Sequence, residues 1–161
     1  MNTIKRETIL KLILLFCFFS ILSAYFIQYV LGHQPCNLCL IERIPYFASI
    51  IIISIFLFLK KFEKLFLIIL TLTFISAFII SIYHFGIEQG FIEESLVCDL
   101  NSTNINLTKE SLLNELKVKA VSCKDVTFKI FGLSLATFNV FISIILSAIT
   151  IKIFLNYEKN K

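Results

Sequence analysis

The stretch LILLFCFFSILSAYFIQYVL, Leu12 to Leu31, decides what kind of molecule this is. It holds no charged side chain, and a helix needs about 20 apolar residues, each rising about 1.5 Å, to cross a hydrocarbon layer. Three more segments approach or meet that length: an uncharged run from Ile44 to Leu59 bounded by Arg43 and Lys60, a run from Leu65 to Ile87, and one from Ile130 to Ile151. Of the 161 residues, 58% are hydrophobic and 16% charged, with a mean hydropathy of +0.89, which excludes an ordinary water-soluble globule. The net charge of +4 comes from 15 basic residues spread thinly between apolar runs, so a disordered or nucleic-acid-binding chain is excluded as well.

The expected fold is therefore an all-α membrane protein. A single four-transmembrane-helix bundle occupies residues 1–161, with spans over 12–31, 40–59, 65–87 and 130–151. The second span is the shortest, and it crosses if it begins near Cys39 and if Glu42 and Arg43 snorkel into the headgroup layer. Lys5, Arg6 and Lys11 ahead of the first run imitate a secretory leader. The run is too long for one, however, and Leu22 stands where cleavage after Ala24 wants a small residue, so an uncleaved first helix is expected.

Basic residues flanking short loops set orientation. Lys5, Arg6, Lys11, Lys60, Lys61, Lys64, Lys152, Lys159 and Lys161 all fall on one side of the four spans, which places both termini in the cytoplasm. The opposite side receives a short loop over 32–39 and a long second loop over 88–129, whose acidic residues outnumber its lysines. Within the long loop, Leu112, Leu113, Leu116 and Ala120 share one helical face behind Thr108 as a possible N-cap, so a short amphipathic helix on the membrane surface is expected.

Four of the five cysteines, Cys36, Cys39, Cys98 and Cys123, lie in these outward loops, and only Cys17 is inside a span. That side is the compartment in which disulfides persist. Cys36-Asn37-Leu38-Cys39 places two sulfurs one helical turn apart where the chain enters the second span, and the exposed N–H groups of a helix start favour a thiolate. Arg43, four residues beyond Cys39, shares its face if the segment is helical. A zinc site would need Cys98 and Cys123 as the remaining ligands, and a purely structural Cys36–Cys39 disulfide would constrain almost no chain. Cys98 with Cys123 would close a sizeable loop of the structural kind. Cys17, among phenylalanines, reads as a packing residue, and His33 and His84 as interfacial histidines.

The run Gln34-Pro35-Cys36-Asn37-Leu38-Cys39-Leu40-Ile41-Glu42-Arg43 resembles the Pro-Cys-x-Leu-Cys-x-x-Glu-Arg signature of the DsbB family of bacterial disulfide bond formation proteins. The similarity extends to the four-span layout and to two cysteines in the second outward loop. It implies an inner-membrane thiol:quinone oxidoreductase that reoxidises a periplasmic DsbA-like thioredoxin-fold oxidase and passes electrons to ubiquinone or menaquinone. By position, the resemblance makes Cys98 and Cys123 the pair that meets the partner, Cys98 forming the mixed disulfide. It makes Cys36 and Cys39 the pair facing the quinone, with Cys39 nearest to it and Arg43 and His84 beside it.

Two other functions compete with this one. A vitamin K epoxide reductase-like enzyme also couples a loop pair to a Cys-x-x-Cys at a quinone, but there the loop pair comes first along the chain, whereas here Cys36 and Cys39 precede Cys98 and Cys123. A non-enzymatic tetraspan protein with inert disulfides does not call for Arg43 beside a Cys-x-x-Cys. The orientation is checked by a membrane-impermeant maleimide on reduced intact cells with a permeabilised outer membrane. The reagent should reach Cys98 and Cys123 and leave a Lys61→Cys variant unlabelled, and the reverse pattern would overturn the topology.

Overall fold

The computed structural model describes residues 3–59, 62–93, 98, 122–124, 129–130 and 133–159. The chain runs α1 (Thr3–Tyr29), α2 (Asn37–Ile41), α3 (Ile44–Leu59), α4 (Glu63–Glu88), β1 (Lys129–Ile130), β2 (Leu133–Ser134) and α5 (Leu135–Lys159). Four segments are long and apolar enough to cross a bilayer: Lys5–Tyr29, Asn37–Leu59, Glu63–Glu88 and Leu135–Lys159. The second of these is α2 and α3 in series. They are separated by a turn in which the Glu42 N–H donates to the Leu38 carbonyl and the Arg43 N–H to the Leu40 carbonyl, and Pro45 falls in the first turn of α3, where its missing N–H costs nothing.

The helices pack α1 on α3, α3 on α4, and most extensively α4 on α5. Leu10, Ile13 and Cys17 of α1, Ile53 and Phe56 of α3, Leu67, Leu70 and Phe74 of α4, and Leu146 and Ile153 of α5 form the buried core. Cys17 is wholly enclosed there, as its packing reading requires. Large apolar side chains such as Phe18, Ile51, Phe58, Leu72 and Phe141 are exposed on the outside of the bundle, where lipid rather than water would solvate them. Since lipid tails are as apolar as leucine, close approach of the helices relies on small residues. Ser49, Ser81 and Ser143 are fully buried between helices, and Ser49 and Ser81 return their hydroxyls to the carbonyls of Pro45 and Ala77, both at 2.8 Å.

The fourth span begins at Leu135 and not at Ile130. Lys129–Ile130 and Leu133–Ser134 pair as two short antiparallel strands with Lys129 opposite Ser134, and Ser134 then caps the helix by accepting from the Thr137 N–H at 3.1 Å. The third span ends on a Schellman turn: Phe91 and Gly90 donate back to the carbonyls of Gly86 and Ile87, with Gly90 at φ +77°. A Cβ at Gly86 would lie 2.7 Å from the tip of the returning Ile92 side chain, which would have to shift to admit it. The amphipathic helix expected over residues 109–120 lies outside the described residues.

At the end of the bundle that carries the two termini, Arg6 of α1 is buried and pairs with Glu63 of α4 at 2.6 Å, while its guanidinium lies 5.2 Å from the ring centre of Tyr157 on α5. Three helices are thus tied through one cation, and Glu63 also sits favourably in the first turn of α4. Lys64 and Glu158 pair at 2.6 Å on the open surface, half exposed. Removing one partner of a mostly buried pair strands the other charge. Glu63→Ala should therefore destabilise the bundle by about 2–3 kcal/mol in a denaturant titration in detergent, whereas Lys64→Ala should leave the midpoint unmoved.

Candidate active site

At the opposite end of the bundle the two cysteine pairs meet. Cys36 is the N-cap of α2, with extended backbone, and its Sγ accepts from the Cys39 N–H at 3.2 Å. A sulfur so placed satisfies one of the helix's orphan donors and gains the positive end of its dipole. Cys98 and Cys123 are joined in a disulfide across 25 residues of sequence, whereas Cys17, Cys36 and Cys39 are free thiols. Cys36, Leu38, Ile87, Cys98 and Cys123 are all buried in one small cluster, with Cys39 and Tyr83 packed against it. The Asn37 amide donates to the Cys98 carbonyl at 3.4 Å, fastening the loop pair to the start of the second span. Cys98 and Cys123 bond to each other, so they are not free to join Cys36 and Cys39 as a set of four zinc ligands.

His84, on α4 one turn before its end, is buried and stands between two groups of the second span. Its Nε2 is 3.5 Å from Cys36 Sγ, and its Nδ1 donates to Glu42 Oε1 at 3.1 Å. The ligating atoms of Cys36, Cys39 and His84 all lie within 4.8 Å of one another. The hydrogen bond from the Cys39 side chain, reinforced by the hydrogen bond and charge of His84 against opposing burial, brings the Cys36 thiol from its ordinary 9.0 down to about 5. Cys36 is therefore held ready as a thiolate, a good nucleophile and a good leaving group in disulfide exchange.

Glu42 does not snorkel, contrary to the sequence expectation. It is only 9% exposed and turns inward to His84, because a carboxylate at this depth needs a partner more than it needs headgroups. Arg43 is half-buried; its Nη1 donates to Gln28 Oε1 of α1 at 2.7 Å, and its guanidinium lies 5.2 Å from the centre of the Tyr25 ring. Glu42, Arg43, Cys36, Cys39 and His84 all face a cavity of about 440 Å³. Its deeper walls are apolar, formed by Phe16, Phe19 and Ile27 of α1 and Phe138 and Ile142 of α5. One end of this cavity is polar and redox-active, and the rest is greasy, which suits a flat carbonyl-bearing ring on an apolar tail.

The sequence reading brought forward Cys36, Cys39, Arg43 and His84, and all four line this cavity, as does Cys123. Cys98 lies beside it in the buried cluster. Three polar contributors were missed: Glu42, Gln28, and the chain Tyr46 to Asn139 to Ser81, in which the Tyr46 hydroxyl donates to Asn139 Oδ1 and the Asn139 amide to Ser81 Oγ. Their signal was available, since a polar side chain inside a span needs a partner, but the partner's identity was not. His33 also lines the cavity.

No solved structure matches the chain. An uncharacterized protein of Rickettsia prowazekii (strain Madrid E) is 29% identical over 153 residues, covering 90% of this chain and 87% of that protein. Residues 6–153 match the family described as "Disulfide bond formation protein DsbB". That match runs through all four apolar helices and both cysteine pairs, so this chain belongs to the DsbB family and is a multi-pass membrane protein of disulfide bond formation.

Proposed function

We propose that the chain is a thiol:quinone oxidoreductase of a bacterial inner membrane, which reoxidises a DsbA-like thioredoxin-fold dithiol protein in the periplasm and hands the electrons to ubiquinone or menaquinone. The observation that carries this reading is the shared burial of Cys36, Cys98 and Cys123 in one cluster beside a largely apolar cavity. Family membership supports the disulfide chemistry, and the cavity's polar end with greasy walls supports the acceptor.

The steps follow from thiol–disulfide exchange. A partner thiolate attacks Cys98, expelling Cys123 as a thiolate and forming a mixed disulfide. The partner's second thiolate resolves it, leaving the partner oxidised and Cys98 and Cys123 as a dithiol. That dithiol then reduces a Cys36–Cys39 disulfide, and its own disulfide re-forms as Cys36 departs as a thiolate, a departure favoured by the low pKa of that sulfur. A quinone, when bound, is the two-electron, two-proton sink for the inner pair. Cys39 would face it, and Arg43, steadied by Gln28 and Tyr25, would hold its polar end, with His84 alongside.

Two measurements test this function. Cys123→Ser should accumulate a covalent complex with the partner through Cys98, whereas Cys36→Ser or Cys39→Ser should leave the partner reduced and abolish quinone reduction; turnover by either of the latter two would refute the order of the pairs. For Arg43, lysine keeps the charge but loses the planar fork. Arg43→Lys should raise the KM for quinone roughly ten- to a hundredfold, the worth of a charged hydrogen bond, with the partner's KM unchanged in steady-state assays. An unmoved quinone KM with normal insertion removes Arg43 from the site.

A further inference from the structure

The redox steps above leave Glu42 without a role, yet it forms a line of contacts with His84 and Cys36. His84 Nδ1 is 3.1 Å from Glu42 Oε1, and its Nε2 is 3.5 Å from Cys36 Sγ. All three side chains are at least about nine-tenths buried. A carboxylate can only accept hydrogen bonds, so it fixes the ring proton on Nδ1 and leaves Nε2 as the acceptor aimed at the sulfur. A thiol, an imidazole and an orienting acid in this order are the arrangement by which a base activates a nucleophile.

Resting on the thiol:quinone reading, we propose that Glu42 is a positioning residue acting through His84, whose Nε2 takes the Cys36 thiol proton and keeps it inside the site for delivery to the acceptor. The balance closes without a further reagent. Oxidation of the Cys36 and Cys39 dithiol forms one S–S bond and releases two electrons and two protons, and reduction of a quinone to its hydroquinone consumes the same. The Cys36 proton resides on Nε2 in the interval, its charge countered by the Glu42 carboxylate across the ring. Cys36 is buried, so a built-in acceptor next to the sulfur serves what bulk solvent serves for an exposed thiol. Pairing also accounts for the burial of Glu42, which would be costly for a carboxylate without a counter-group.

The other ionisable groups around the cavity are His33 in the first loop, Cys39, Arg43 and Tyr46 on the second span, and Glu88 at the end of α4. Arg43 is engaged by Gln28, Glu88 accepts from the Ser134 hydroxyl at 2.6 Å, and the lining contributed by α5 carries no charge. Cys98 and Cys123, being oxidised, do not titrate.

The test is the pH dependence of Cys36 alkylation by iodoacetamide, read by peptide mass spectrometry on the full chain in lipid nanodiscs with the loop disulfide intact and no quinone added. Glu42→Gln retains an oxygen for Nδ1 but loses the charge that favours a protonated ring, so the thiolate of Cys36 loses support and its alkylation midpoint should rise by about one pH unit or more. Glu42→Asp should restore it in part. In a His84→Gln background, Glu42→Gln should add no further shift, because the carboxylate then has no ring to act through. In turnover, Glu42→Gln should lower kcat at least about tenfold with the KM for quinone unchanged. A Glu42→Gln profile superimposed on that of the unmodified chain, or an equal shift in the His84→Gln background, overturns the proposal. Should Glu42→Gln fail to insert, His84→Gln carries the test alone, and an unmoved Cys36 midpoint there overturns it too. Alkylation needs neither partner nor quinone, so a failure of the thiol:quinone reading would instead show as absent quinone reduction by the unmodified chain with the alkylation shifts intact.

Discussion

A polar group within hydrocarbon has no water to turn to, and the rest of this structure is arranged around that constraint. Each charged or amide side chain drawn into the bundle meets a partner on another helix: Arg6 meets Glu63, Glu42 meets His84, Arg43 meets Gln28, and Asn139 meets both Tyr46 and Ser81. Because lipid supplies no hydrophobic drive for helices to associate, these pairs and the fully buried small residues between them set which helices touch and at what height.

The same constraint divides the molecule into two ends with different tasks. At the end bearing the termini, one arginine ties α1, α4 and α5 together, and the pairing there is architectural. At the other end the polar groups converge on sulfur. The Cys98–Cys123 disulfide and Cys36 are buried in one small cluster, with Cys39 packed against it. Burial of that cluster also keeps out competing thiols, which matters for chemistry that any accessible thiolate could intercept.

The cavity shares its polar rim with this cluster. Its apolar walls come from α1 and α5, whereas Cys36, Cys39, the arginine and the glutamate come from the start of the second span, Cys123 from the long loop and His84 from α4. In the proposed function, a soluble dithiol and a lipid-dissolved acceptor would approach the same few residues from different media. Two cysteine pairs in series would then join those media without either substrate having to leave its own phase.

Much of this was written in the sequence. Four uncharged runs determine four helices because only a helix satisfies its own backbone in hydrocarbon, and their lengths follow from the thickness to be crossed. The Cys-x-x-Cys spacing at a helix start dictates a sulfur under the influence of the helix N-terminus, since that effect is local to one turn. Nothing local fixed the beginning of the fourth span at Leu135, because the link from Ser134 to Glu88 is a contact made across the fold. Nor could the sequence say which way Glu42 would face. Adjacent to Arg43 at the end of a short span, it has both the headgroups and the bundle interior within reach of one rotamer change. Only the packing of α4 against the second span, which delivers His84 to within 3.1 Å, made the interior the lower free energy and turned a boundary carboxylate into part of the site.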